Sequence, residues 1–478
     1  MRRQPLLRWF SHCLLIIIPL LAHGTIVGGL VEGIWTPAGN PYDVASTLII
    51  DSNRTLIIKP GVEVNFFSSD SIKVYGTLVA EGTEEDSIYF IDNGKGCWRG
   101  IWFMNGSSSN SSIEYAYISQ PLWGIVAQYS HPKISKSTIF AQTVGVWGSY
   151  SFLTLEDCLV DVEAPKVEGV RLFQSPAQIR GCTINAKNAI NVYNAVGIRI
   201  TRSNPEISAT EIHVSGEGLS CGILLENSDK PFLVYNLIHV YSNSLAYGAF
   251  INGCLEATFI NNTIVVKSDH TADKCVYIWE SSNPIIENCI LYGDGSSQGV
   301  VAMPSCYPEL LYTDIYNHFE DLTGCTPGPG CTFLDPRFLD PELKDYHLQS
   351  SSPCIDTGNP SSPYNPDSTM ADMGCFYFPH YTGFIDDGIN QPISYPVLNA
   401  YPNPFNLEST IRISLPQSSY GSLAVYNTGG CRVCTLHEGF FEIGSSNFEW
   451  NAEAQSSGNY WIVLQLPDRT SVFPIVLL

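Results

Sequence analysis

The stretch that decides the fold reads Gly222-Ile223, Asn236-Leu237-Ile238, Gly248-Ala249, Asn262-Thr263-Ile264, Cys275-Val276, Asn288-Cys289-Ile290, Gly299-Val300 and Thr313-Asp314-Ile315. Two short phrases alternate in it. One is a polar run closed by an aliphatic residue, and the other is a small residue followed by an aliphatic one. Two independent phrases that share one period indicate stacked structural repeats.

Both phrases continue toward the N-terminus, so the repeat covers most of the chain. The polar phrase also closes at Ile118, Ile139, Leu159, Ile184 and Ile212, which makes successive closing residues 21, 20, 25, 28, 26, 26, 26 and 25 residues apart. The aliphatic runs are too short for helices, and their apolar residues alternate as in strands. Each repeat therefore predicts one coil of a right-handed parallel β-helix, in which coils stacked at ~4.8 Å pair their backbones and bury the aliphatic residues.

Asparagine recurs at one place in three successive polar phrases, as Asn236, Asn262 and Asn288. Amide side chains stacked in register stabilise turns and bond to one another. We predict a structural asparagine ladder here rather than a ligand site.

The beginning of the chain is typical of an export signal. Arg2, Arg3 and Arg8 precede the apolar run Leu14 to Leu21, which is shorter than the ~20 residues that span a bilayer. We predict six segments: a signal peptide at 1–24, an N-terminal cap and first coils at 25–95, the β-helix at 96–320, a closing segment at 321–380, a linker at 381–398 and a β-sandwich at 399–478.

The charge of the chain excludes several partners. The formal net charge is −22, and removal of three arginines with the signal leaves 24 − 3 = 21 basic against 46 acidic residues, a net charge of −25. Such a surface repels nucleic acid and anionic membranes. We expect no nucleic-acid partner, no transmembrane segment in the mature chain, and a monomer.

Cysteines are frequent enough for disulfides in an exported protein. The chain has 15 cysteines, and 14 remain once Cys13 leaves with the signal. The pairs suggested by loop-rich sequence are Cys325/Cys331, Cys354/Cys375 and Cys431/Cys434.

Three sets of motifs resemble known families. Leu56 to Val64, Gly76 to Thr83 and Trp98-Arg99-Gly100-Ile101 resemble the opening of secreted bacterial right-handed β-helix repeat proteins, and Asp345 to Leu348, Ser352 to Gly358 and Asp372 to Gly374 resemble their closing segment. Tyr401-Pro402-Asn403-Pro404-Phe405-Asn406 resembles the carboxy-terminal sorting domain of type IX secretion, which is related to the flagellar hook-capping β-sandwich. The resemblance implies an all-β chain, export to the outer surface or the medium, and recognition of the tail by the export machinery.

Four tryptophans near the start of the β-helix are candidate ligand-binding residues: Trp98, Trp102, Trp123 and Trp147. On one outer face they would form an aromatic strip for the apolar faces of sugar rings. In the alternative they fill the interior or the cap.

Acidic residues give two further candidate sites. Asp157, Asp161 and Glu211 are the candidate catalytic residues, because cleavage of a polysaccharide needs carboxylates held at a fixed separation. In the alternative they occupy solvated turns. The candidate calcium ligands are Asp356, Asn359, Asp367 and Asp372, since clustered oxygen ligands suit that ion.

The leading functional hypothesis is a non-enzymatic binding or adhesion module for carbohydrate, with no cofactor other than calcium. The alternative is a polysaccharide lyase or glycoside hydrolase that acts in a groove on the β-helix. A structural envelope protein is the third hypothesis. Converging carboxylates would favour the enzyme, and a solvent-facing aromatic strip would favour the binding module.

Overall fold

The structure, a computed structural model, describes residues 24–94, 98–188, 194–268, 272–380 and, with short gaps, 397–477. The chain forms two compact units divided between Pro379 and His380. Residues 1–23 of the predicted signal peptide and 381–396 of the predicted linker lie outside the described residues. Within the described ranges, no helix has the length and apolar character needed to cross a membrane.

The first unit is a parallel β-solenoid of about 11 turns, which confirms the predicted right-handed β-helix. Each regular coil gives one strand to each of three faces. Face I is a 12-stranded sheet made of Gly33–Trp35, Thr55–Ile58, Thr77–Glu81, Ser112–Glu114, Lys133–Ser135, Thr154–Glu156, Gln178–Arg180, Glu206–Ser208, Phe232–Val234, Thr258–Ile260, Ile285–Glu287 and Glu309–Leu311.

Faces II and III belong to one 24-stranded sheet, because its first two strands, Thr25–Leu30 and Tyr42–Ile50, run across both faces. Face II continues with Glu63–Phe66, Ile88–Asp92, Ala116–Ser119, Thr138–Ala141, Leu159–Glu163, Thr183–Asn188, Glu211–Gly216, Leu237–Ser242, Thr263–Ser268, Ile290–Tyr292 and Asp314–Tyr316. Face III continues with Ile72–Val74, Ile101–Phe103, Trp123–Gln128, Val144–Ser149, Val167–Phe173, Ala195–Thr201, Leu219–Glu226, Leu245–Asn252, Lys274–Trp279, Gln298–Ala302 and Glu320–Thr323.

The aliphatic ladder inside face II differs from the prediction at two coils. Ile139 pairs with Val160 rather than Leu159, and Ile264 pairs with Leu291 rather than Ile290. A shift of one residue moves a side chain to the other side of a sheet. The ladder runs through Ile118, Ile139, Val160, Ile184, Ile212, Ile238, Ile264, Leu291 and Ile315.

A ladder of inward polar side chains marks the corner between faces I and II. At this corner each coil turns through one residue in the left-handed conformation, and the next residue points inward. The backbone N–H of Asn236 donates to Asn262 Oδ1 at 3.0 Å, and that of Thr210 donates to Asn236 Oδ1 at 3.0 Å. The members are Ser137, Cys158, Cys182, Thr210, Asn236, Asn262, Cys289 and Thr313.

The predicted asparagine ladder is therefore correct for Asn236 and Asn262 and wrong for Asn288. Asn288 is the left-handed turn residue, with φ 53°, and Cys289 takes the inward place. The amide of Asn288 instead lies outside the core, where its Oδ1 accepts from the backbone N–H of Asn359 at 2.7 Å.

A similar ladder of small polar residues lies at the corner between faces III and I. The N–H of Ser203 donates to Ser228 Oγ at 3.1 Å, and Ser228 Oγ bonds to the carbonyl of Glu226, two residues earlier in its own coil. The members are Ser151, Ser175, Ser203, Ser228, Cys254 and Ser282. Both corners thus connect each coil to the next by buried hydrogen bonds as well as by strand pairing.

A column of glycines on face III allows the coils to close tightly. A Cβ at Gly222 would lie 2.5 Å from the carbonyl oxygen of Gly248 and inside van der Waals contact with Ile238 Cγ2. In the coil where Cys275 replaces the glycine, the ladder residue is Leu291, which is not branched at Cβ. The column contains Gly124, Gly145, Gly169, Gly197, Gly222, Gly248 and Cys275.

The closing segment covers the outer side of face II. Its only hairpin in the described residues joins Phe338–Asp340 to Asp345–Leu348. Leu237, Val265 and Ile290 point outward from face II into a second cluster, which explains why Ile290 is apolar although it is not in the ladder. The covering residues are Phe338, Tyr346, Leu348, Cys354 and Met373.

The second unit contains two antiparallel sheets around its own core, as predicted for a small β-sandwich. One sheet has three strands: Val397–Tyr401, Glu408–Leu415 and Gly444–Asn451. The other has four strands: Ser419–Asn427, Arg432–Phe441, Gly458–Leu466 and Arg469–Leu477.

The predicted disulfides are not formed among the described cysteines. Cys325, Cys331, Cys354 and Cys375 are free thiols. Cys331 Sγ bonds to the carbonyl of Leu310 at 3.5 Å, whereas Cys325 Sγ approaches that of Val300, so the two thiols are held against different strands. Cys434 is likewise a free thiol, so the predicted pair with Cys431, which lies outside the described residues, is not formed either.

We expect Gly222→Ala to destabilise the first unit by about 1–3 kcal/mol, because the added methyl group overpacks the contact with Ile238 and the next coil. Thermal unfolding followed by circular dichroism measures the change. Cys275→Ala is the matched control, since that position already accommodates a Cβ. Equal melting temperatures for Gly222→Ala and the unmodified protein would contradict this account of the column.

Candidate functional site

The four predicted tryptophans separate into one core residue and three surface residues. Trp98 is 0% exposed, its ring stacks on Phe66 with centroids 4.0 Å apart, and its Nε1 donates to the carbonyl of Ser119 at 2.8 Å. The prediction that Trp98 binds ligand is therefore wrong. Trp102, Trp123 and Trp147 are partly exposed on face III.

The three surface tryptophans occupy two adjacent columns. Trp147 pairs with Val126, and Val126 pairs in turn with Trp102, so these three residues share one column. Trp123 pairs with Val144 in the neighbouring column, and its ring meets that of Trp102 edge-on with centroids 5.4 Å apart. The 24-residue interval from Trp123 to Trp147 does not place them in register, because the coil step here is 21 residues.

We call the column that holds Trp102 and Trp147 the outer strip. Each member is the residue that directly follows a small–aliphatic phrase, so it points away from the core. At ~4.8 Å per coil, the strip is about 34 Å long. Its members are Trp102, Val126, Trp147, Arg171, Arg199, Leu224, Phe250 and Tyr277.

An ion cluster occupies the middle of the outer strip. The carboxylate of Glu168, which is 3% exposed, lies 2.6 Å from Arg171 Nε and 2.9 Å from Arg199 Nε. Arg199 Nη1 also lies 3.0 Å from Glu226 Oε2. Burial acts to lower the pKa of Arg199, but Glu168 and Glu226 outweigh it and raise that pKa, so the guanidinium stays charged.

Aromatic residues flank the cluster on both sides. On one side, the guanidinium of Arg171 lies 5.7 Å from the ring centre of Trp147. On the other side, Phe250 stacks on Tyr277 with centroids 5.1 Å apart, and Lys274 Nζ lies 5.1 Å from the ring centre of Tyr277. The strip therefore combines apolar ring surfaces at its ends with fixed hydrogen-bonding groups at its centre.

Sequence reasoning missed Glu168, Arg171, Arg199 and Glu226. The signal was present for both arginines, because Gly169-Val170 and Gly197-Ile198 are small–aliphatic phrases, and the next residue of each points outward.

The structure brings two of the three candidate catalytic acids to one face. Asp161 and Glu211 both point outward from face II, two coils apart, or ~10 Å along the axis. Asp157 lies at the exposed left-handed turn that precedes this face. Burial raises the pKa of Asp161, whereas the hydrogen bond from His213, whose Nε2 lies 3.3 Å from Glu211 Oε2, lowers the pKa of Glu211.

The closing segment covers only part of face II, and its edge lies beside Glu211. We call this edge, where the covered part of the face meets the open part, the step. A cavity of about 330 Å³ lies at this step, lined by Glu211, Tyr235, His347, Phe376 and Tyr377 among others.

A second cavity of about 310 Å³ lies further along face II, beside two histidines. His213 and His239 line it, with ring centres 6.0 Å apart. Burial and the nearby charge of Lys344 lower the pKa of His239 to about 3, so this imidazole is neutral at physiological pH. The sequence showed the two histidines as isolated residues, and the register makes them neighbours.

Three of the four candidate calcium ligands, Asn359, Asp367 and Asp372, accept backbone hydrogen bonds within the closing segment. Asp372 Oδ1 accepts from the backbone N–H of Asp356 at 2.7 Å, Asp367 Oδ1 accepts from that of Thr369, and Asn359 Oδ1 accepts from that of Ser361. In the part of the chain that the structure describes, no three His, Cys, Asp or Glu side chains are placed to hold a metal ion together. These residues thus serve the loops of the closing segment.

Comparisons with known proteins identify no family. No protein-family model matches this chain, and no curated protein matches it. A crystal structure of the pectate lyase Pel9A covers 74% of this chain and 98% of its own, at 11% sequence identity and a TM-score of 0.33. A similarity this low carries no argument about the site.

We expect Arg199→Met to destabilise the first unit by about 3 kcal/mol, because it removes one partner of the buried Glu168 carboxylate. Chemical denaturation measures the change. Lys187→Met is the matched control, since it breaks an ion pair with Glu163 in which both side chains are 57% exposed, where the loss is below about 1 kcal/mol. Equal losses in the two variants would show that the cluster does not stabilise the coils.

Proposed function

We propose that this protein is a non-enzymatic binding module for carbohydrate and that its ligand lies on the outer strip. The observation that carries the proposal is the register of the strip, whose side chains lie one above another on successive coils over about 34 Å, with Val126 and Leu224 buried between their larger neighbours. A surface of this length suits a polymer rather than a small molecule.

The chemistry of the strip supports a sugar ligand. A pyranose ring has an apolar face that packs on aromatic side chains, and its hydroxyl groups exchange hydrogen bonds with fixed polar groups. Trp102 and Trp147 provide the first kind of surface, and the Arg171–Glu168–Arg199–Glu226 cluster provides the second. Because ion pairing already fixes these side chains, binding orders few new rotamers.

The proposal includes export of the protein to the cell surface or the medium. Support comes from the basic and apolar residues at 1–24, and from the resemblance of the motif that begins at Tyr401 to type IX sorting domains. In this proposal the second unit serves delivery and the first unit binds the polysaccharide.

Cleavage of a polysaccharide on face II is a second candidate function. The observation that favours it is the opposite direction of the pKa shifts of Asp161 and Glu211, which is the pattern expected of a general acid and its partner carboxylate. They are ~10 Å apart along the axis and two residues apart along the strand direction, so their separation lies beyond the one that inverting hydrolases use.

We expect Trp147→Ala to weaken binding to an immobilised polysaccharide about tenfold, because it removes the largest ring surface beside the ion cluster. Affinity gel electrophoresis against a panel of soluble polysaccharides measures the change. Trp461→Ala is the matched control, since Trp461 is an exposed tryptophan of the second unit. An unchanged affinity for Trp147→Ala would place the ligand elsewhere.

For the second candidate, we expect Asp161→Asn and Glu211→Gln each to lower the release of reducing ends by about 10²–10⁴-fold, as for loss of a general acid or base. Asp157→Asn should retain the full rate, because its side chain lies at the turn and not on face II. If the unmodified protein releases no product from any polysaccharide of the panel, this candidate is excluded.

A further inference from the structure

We propose that the ligand of the outer strip is an uncharged polysaccharide that lies along the solenoid axis with one sugar unit per coil. The inference rests on the proposed binding function and names the class of polymer and its direction.

The charges of the ion cluster compensate one another. Arg171 and Arg199 contribute two positive charges, and Glu168 and Glu226 contribute two negative ones. Each guanidinium already contacts a carboxylate at 3.0 Å or less, so no arginine of the cluster is free to neutralise an acidic sugar. A carboxylate or sulfate group placed there would lie beside the carboxylates of Glu168 and Glu226, which repel it, while the charges of both arginines are already balanced.

The remaining charges around the strip do not favour an anion. Lys274 adds one positive charge at its far end, where burial lowers the pKa of the ammonium group, and Lys73, which pairs with Trp102, adds one at the near end, so neither lies beside the ion cluster. The whole chain carries a formal charge of −22, so an anionic polymer approaches against the field of the protein. A neutral polymer meets no such barrier.

The cluster nevertheless offers hydrogen bonds in fixed positions. A guanidinium has five N–H donors, and the ion pairs of Arg199 with Glu168 and Glu226 use Nε and Nη1. Glu226 Oε2 accepts from Thr201 Oγ1 at 3.0 Å as well as from Arg199, which orients the carboxylate and leaves Glu226 Oε1 as an acceptor. Neighbouring hydroxyl groups of a sugar can accept from Arg199 and donate to Glu226 at the same time.

The repeat of the strip sets the direction of the ligand. Successive side chains are ~4.8 Å apart along the axis, a step close to the length of one sugar unit in an extended chain. A polymer parallel to the axis therefore passes one strip position per coil, with ring surfaces at Trp102, Trp147 and Phe250. Val126 and Leu224, which are buried, form the floor between these rings. A polymer across the axis would meet one coil and leave the strip.

The test compares neutral and anionic polymers on the full chain. Mixed-linkage β-glucan, xylan and galactomannan are the neutral probes, and polygalacturonate, alginate and a sulfated galactan are the anionic ones. We expect binding of at least one neutral polymer, with an affinity that changes less than about twofold between about 50 and 500 mM NaCl, because screening acts only on charged ligands. Affinity should rise with oligosaccharide length until the strip is filled.

Glu226→Gln tests the charge balance while keeping the shape of the side chain. It leaves Arg199 with one carboxylate partner, so we expect it to gain measurable, salt-sensitive binding to an anionic polymer that the unmodified protein does not bind. Circular dichroism confirms that the variant is folded, and Glu256→Gln, in an exposed pair with Lys230, is the control. Binding of anionic polymers alone would overturn the inference and leave the binding function intact, whereas binding of no polymer would remove both.

Discussion

Every coil of this solenoid depends on hydrogen bonds that hold it in register with the next. Strand pairing supplies most of them, and the two corner ladders supply the rest through side chains buried inside the stack. A buried polar group without a partner is costly, so each ladder residue requires the coil above and the coil below. The ladders therefore fix which residue of each coil faces inward, although the coils differ in length.

The inward orientation of the ladder residues determines which positions of each coil are buried and which lie at the surface. Two kinds of position are buried inside the stack: the residue that follows each left-handed turn, and the members of the aliphatic ladder. Residues such as Trp102 and Trp147 lie at outward positions between them, where substitution does not alter the stack directly. The closing segment then removes part of face II from solvent by covering Leu237, Val265 and Ile290. The outer strip of face III and the step beside Glu211 stay open to solvent.

The fold could be predicted from the sequence because its signal repeats, whereas the site could not because its contacts cross coils of unequal length. Gly124 through Gly299 mark face III correctly, and the aliphatic ladder fails only at Leu159 and Ile290, where an apolar residue stands next to the true member. Arg199 and Glu226 are 27 residues apart and meet only because one coil separates them. Trp98 and Trp102 are close in sequence, yet one lies in the core and the other at the surface, because Trp98 precedes the strand that holds Trp102 and the chain turns between them at Gly100, which has a φ of 87°.

The pairing of small and branched residues within single coils has a consequence for how such a protein can change in size. Gly222 and the residue that fills the space beside it, Ile238, belong to the same coil, and Cys275 is matched in the same way by Leu291. One coil thus contains both the small residue and the larger residue that packs beside it, and it bonds to its neighbours through the same two ladders. Duplication or loss of one coil would therefore extend or shorten the outer strip by one position and keep the same kind of packing. The length of the strip is set by the number of coils.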